Sequence, residues 1–141
     1  MELSEEDHRA VACWAADCAE HVLPYFVEER PADDRPRRAV EAGRAWARGE
    51  LAITEARAAS FAAHAAARDC EVAAARAAAR SAGHAVATAH VPTHAPHAAV
   101  YAVAAATHAA GPTDTDAAAE AEREWQYARL PEHLRPVAFP G

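Results

Sequence analysis

Lysine and asparagine are absent from this 141-residue chain, so all 14 of its basic residues are arginine. That bias fits GC-rich coding, and the abundance of alanine and arginine carries no functional weight by itself. Cysteine is scarce: Cys13, Cys18 and Cys70 are odd in number and lack CxxC spacing. This excludes a disulfide framework and a zinc knuckle, and leaves the thiols as small buried hydrophobes. With five glycines, none in a phosphate-cradling loop, and no GxSxG elbow, enzymes built on those devices are also excluded. A basic excess is missing too. The net charge of -7 and pI near 5.7 argue against a nucleic-acid partner, whose phosphates require a basic stripe. The longest uncharged apolar run, Ala98 to Ala106, is too short for a bilayer, and no membrane partner is expected. The acidic start "MELSEEDHR" shows no signal-peptide pattern, which gives a cytoplasmic expectation.

Aromatics make up 6% of the chain, so its core must come from close approach of small side chains rather than from bulk. Alternation of β-branched residues is missing, and strands are not expected. Helical spacing is plentiful. Ser4 and Asp7 resemble a capping box, followed by one stripe of Val11, Trp14, Ala15, Cys18, Val22, Tyr25 and Phe26 on a first helix kinked at Pro24. Asp33 or Asp34 caps a second helix that stops at Gly49, and Thr54 caps a third to Arg68. A fourth runs to Val91, a fifth from Thr93 to Ala110, and a sixth from Asp116 to Leu130. The expectation is one all-α domain, residues 1–141: a compact bundle of five or six Ala-rich helices with an extended tail over 131–141.

Four of the nine histidines fall within "GHAVATAHVPTHAPH", Gly83 to His97. His94 and His97 are three apart, a spacing that points two imidazoles from one helical face. With His64 from another helix, His90 and His94 form a candidate metal-ligand set, and His84 is a further candidate position. A divalent metal is the one cofactor this pattern offers. The competing reading is packing: in an interior lined by alanine, an imidazole fills space and donates to a carbonyl. No HExxH occurs, and no carboxylate lies within the stretch to orient a ligating ring.

Asp17 and His21, four apart on the first helix, match a carboxylate holding an imidazole as a general base, but no nucleophile accompanies them. Glu120, Glu122 and Glu124 read as a solvated acidic patch, and Arg68, Arg76 and Arg80 as a basic edge. Trp125 and Tyr127 on the sixth helix are candidate contacts for a homo-oligomer.

Four phrases together resemble one family: "CWAADCAEHVLPYF", "DDRPRRAVEAGRAWARGE" running on to "SFAAHAAAR", "AGHAVATAHVPTHA", and the closing "EWQYARLPEHLRP". The chain resembles the Imm-5-like immunity proteins of bacterial polymorphic-toxin systems. The resemblance implies a small, mostly helical protein that binds and neutralises a toxin domain, and it assigns no catalytic residue. Matching positions include Trp14, Asp17, His21, His64, His84 and His90. The expected function is therefore stoichiometric binding of a cognate toxin rather than catalysis. The alternative is a small helical metal-binding protein or metal-dependent hydrolase.

Overall fold

The computed structural model describes residues 3–139, and every regular element among them is helical. Helix α1 spans Glu5–Glu29, α2 Arg35–Ala47, α3 Ile53–Arg68, α4 Ala73–Ala87, α5 His94–Ala109 and α6 Thr115–Arg129. A 3-10 turn, Glu132–Leu134, leads into the short α7, Arg135–Ala138. The Asp7 amide donates to Ser4 Oγ at 3.0 Å, and three acidic residues in the first turn of α1 suit its positive end. Pro24 lies on the exposed side of α1, where a missing helix hydrogen bond costs least. Pro36 occupies the first turn of α2, and Gly49 follows that helix at φ 78, the left-handed region that favours glycine.

Helix α4 is the centre of the bundle. It packs against α1, α2, α3 and α5, with nine of its 15 residues buried, six of them alanine. Such small facing residues bring backbones close enough for short side chains to bridge them. Ser60 Oγ donates to the Gly83 carbonyl at 2.9 Å, and Ser81 Oγ to the Ala98 carbonyl at 2.8 Å. Each uses the second lone pair of a helical carbonyl, so a buried hydroxyl is satisfied without breaking a helix.

Bulk enters at the edge of this alanine core. Trp14, fully buried, donates its indole N–H to the Gln126 carbonyl at 2.8 Å, and Gln126 Nε2 donates to the Ala99 carbonyl at 2.9 Å. One tryptophan and one glutamine thus tie α6 to both α1 and α5.

Thr54 lies inside α3, whose N-cap is Ala52, and two longer stretches also differ from the sequence expectation. The tail is not extended over its described part: Leu134 and Ala138 are buried, and Phe139 stands edge-on to Trp14 at 5.7 Å. Covering the apolar flank of Trp14 turns the chain back, while residues 140–141 lie outside the described residues. Helix α4 also stops at Ala87 instead of Val91. The His8 ring donates through Nε2 to the Thr88 carbonyl at 2.6 Å, and Pro92 disfavours helical backbone at Val91, so Thr88 to His90 form a turn.

If close alanine contact holds the bundle, Ala82→Leu, at a site with no exposure, should cost about 1–3 kcal/mol by overpacking. Ala117→Leu, on the exposed face of α6, should stay within about 0.5 kcal/mol of the wild type in urea denaturation.

Candidate functional site

The α3–α4–α5 face gathers the histidines. His84 projects from α4 and takes the middle place, because His94 and His97 leave the first turn of α5 three residues apart and His64 arrives from α3. Ring centroids stand 4.9 Å from His84 for His64, 5.4 Å for His94 and 5.2 Å for His97. Tyr101, one turn further along α5, stacks on His84 at 5.3 Å with planes 5° apart, and the Arg80 guanidinium lies 5.9 Å from the Tyr101 ring. His84 Nδ1 and His94 Nδ1 are 3.2 Å apart. One ligand nitrogen from each of His84, His94 and His97 fits within a 4.8 Å span.

Burial is the leading cause that pushes the His84 imidazolium down to about 4, reinforced by His64, His94, His97 and Arg80. His64 and His94 are lowered as well, again chiefly by burial, with Arg68 and Arg80 adding to His64 and His97 and His90 adding to His94. At neutral pH these three rings are uncharged, each with one N–H and one ring lone pair. In the His84–His94 contact, one ring donates its N–H to the other's lone pair.

Gly83 makes room for this group. A Cβ at that position would lie 2.6 Å from His64 Nε2, well inside van der Waals contact. In a helix otherwise rich in alanine, the glycine gives up about 1 kcal/mol of helix propensity and leaves the space that the His64 ring occupies.

The other candidate positions fall elsewhere. His90 is exposed in the α4–α5 turn, on the rim of a 240 Å³ depression that Phe61, His64 and His94 also line. It borders the histidine group, while His97, given no place in the sequence-derived ligand set, stands inside it. Its i,i+3 spacing to His94 was the available signal. Trp14 is a core residue with its N–H bonded across the bundle.

Asp17 and His21 do not pair with each other. Asp17 Oδ1 accepts from Arg44 on α2 at 2.9 Å, and His21 Nδ1 meets Glu122 Oε2 on α6 at 2.9 Å. Glu122 is therefore not part of a solvated patch: it is 6% exposed, buried under α1 by this contact. The His21 ring stacks on Trp125 at 3.8 Å with planes 1° apart, and Arg129 lies 4.1 Å from the same indole. Trp125 is thereby half-buried within its own chain, leaving Tyr127 as the exposed aromatic of α6. Burial, with Glu122 and Asp17 nearby, raises the Cys18 thiol far above its ordinary value, which makes it inert as a nucleophile.

The family model described as "Imm-5 like putative immunity protein" matches residues 1–133. The chain belongs to that family. No curated protein and no solved structure gives a match. In this Imm-5-like chain the matched span holds every histidine discussed above, whereas Leu134, Ala138 and Phe139, which close the core around Trp14, lie beyond it.

Two outcomes follow from the site's geometry. Gly83→Ala should leave the Imm-5-like fold intact, since only a terminal ring must yield, but should swing His64 outward. An imidazole titration followed by NMR would show the His64 pKa rising toward 6.5. In chelator-treated protein, the His84 ring should stay neutral until pH approaches about 4. The unfolded chain protonates first, so His84's contribution to stability is complete above about pH 6.5 and is lost as pH falls toward 4, which urea midpoints measured across that window would register.

Proposed function

We propose that this Imm-5-like protein neutralises a toxin domain by stoichiometric binding, using a preformed helical surface and no chemistry of its own. The observation that carries this reading is the family match over residues 1–133. Physical features support it. Six packed helices cross-linked by buried hydrogen bonds give a surface that loses little freedom on association. A net charge of -7 steers a basic partner. Among the described residues no helix is long and apolar enough to cross a membrane.

Phe61 on α3 is 66% exposed beside Arg57, an aromatic and an arginine of the kind that dominate binding energy when a partner covers them. We place the toxin contact on this face. Co-expression with a toxin encoded beside this gene should restore growth and yield a one-to-one complex by light scattering. Phe61→Asp should weaken binding by about 10-fold or more while circular dichroism stays unchanged. A folded protein that neither rescues nor forms a complex with that toxin would sink the immunity reading. Undiminished binding by the Phe61 variant would move the contact to another face.

A further inference from the structure

We propose that His84, His94 and His97 form a binding site for one divalent first-row transition-metal ion of the zinc class, with His64 as the adjoining imidazole. The site adjoins the face proposed for toxin contact, since Phe61 lines one depression with His64 and His94, but the inference rests on the imidazole geometry and not on toxin binding.

The geometry is the first reason. Two nitrogens bound to one tetrahedral ion at about 2.0–2.1 Å stand roughly 3.3 Å apart. His84 Nδ1 and His94 Nδ1 are already 3.2 Å apart, and one nitrogen from each of His84, His94 and His97 fits within 4.8 Å; ligation would move the proton held between the two Nδ1 atoms to the Nε2 of the ring that carries it. His97 is exposed on the first turn of α5, so its ring is free to close that remaining gap. The ligand-bearing helices are fixed by the core: α4 is packed on four sides, and Ser81 ties it directly to α5.

Unused hydrogen-bonding capacity is the second. A neutral imidazole carries one donor and one acceptor. Among the described residues, the only hydrogen bond made by the ring nitrogens of His64, His84, His94 and His97 is the one between His84 and His94. Four imidazoles converge at the edge of the alanine core, and Gly83 gives up helix propensity to admit the ring of His64. The ring nitrogens without a protein partner are open to solvent rather than sealed in the core, so a cation arriving from solution can reach their lone pairs.

The donor set selects the ion. Imidazole nitrogens with no carboxylate in the group suit Zn(II), Co(II), Ni(II) or Cu(II), whereas Mg(II) and Ca(II) require oxygen ligands. The positive end of α5 and the nearby Arg80 act against a cation, and no carboxylate orients the rings. Affinity should therefore be about micromolar, below that of structural zinc sites.

The test is titration of Zn(II) alone into untagged, chelator-stripped full-length protein by calorimetry, with Co(II) absorption reporting coordination by nitrogen. One ion per chain is expected. His84→Ala, His94→Ala and His97→Ala should each weaken binding by about 10-fold or more, while His90→Ala and His108→Ala should change it by less than about 2-fold. If His84→Ala fails to fold, the exposed His97 decides the matter. Absence of saturable binding up to about 100 μM, or wild-type affinity in the folded His97→Ala protein, overturns the site. So does loss of binding in His90→Ala with retention in His97→Ala. Because the readout is metal bound per chain, failure here leaves toxin rescue untouched, and failure of rescue leaves this result standing.

Discussion

The close approach of α4 to its four neighbours is the constraint on which the rest of the molecule depends. Alanine contributes little apolar area, so the bundle cannot be held by a few large side chains in the middle. Short inter-helix distances compensate with dense backbone contact, and they let Ser60 and Ser81 reach carbonyls on neighbouring helices. They also dictate where large groups go. Trp14, Phe26 and Leu134 are fully buried yet come from α1 and the tail, against the flanks of the alanine layer rather than within it.

Helix number and order were readable because the chain punctuates itself. Ser4 marks the start of α1, Pro36 and Gly49 bracket α2, the Pro92–Pro96 pair opens α5, and Gly111–Pro112 separates α5 from α6, whereas the α3–α4 junction carries no such mark. Two of the readings that failed depended on partners far away in sequence. The shorter α4 follows from His8 holding the Thr88 carbonyl 80 residues away. The folded tail follows from the exposed flank of Trp14, which a linear reading counts as one more stripe residue. Thr54 looked like a helix cap, but Ile53 is already helical and Ala52 takes that place.

The polar residues show the same division. Within α1, Asp17 and His21 have the spacing of an i,i+4 pair, worth only a few tenths of a kcal/mol, about 0.2–0.5. Arg44 offers Asp17 a direct charged hydrogen bond, and Glu122 does the same for His21 with Trp125 stacked below the ring. Tertiary partners of that quality outcompete a weak local pair, so helical periodicity alone cannot name them. Periodicity did identify His94 and His97 as neighbours, since both lie on one element. It could not place His84 between them, because that needs the register of α4 against α5, and that register is set by alanines that look alike in sequence.

The histidine group and the α1–α6 latch are consequences of the same sparse core. Where alanines meet, any medium-sized side chain admitted to the interface must fit space left by its neighbours, and its polar atoms must find partners there or face water. Around Trp14 the indole N–H reaches the Gln126 carbonyl and Gln126 Nε2 reaches the Ala99 carbonyl. Around His84 four rings share one hydrogen bond, and their remaining nitrogens face solvent. Partial burial keeps His64, His84 and His94 unprotonated at neutral pH. Uncharged, convergent and open to solvent, these nitrogens meet the electronic requirement for holding a cation, and that distinguishes them from the buried, backbone-bonded polar groups elsewhere in the bundle.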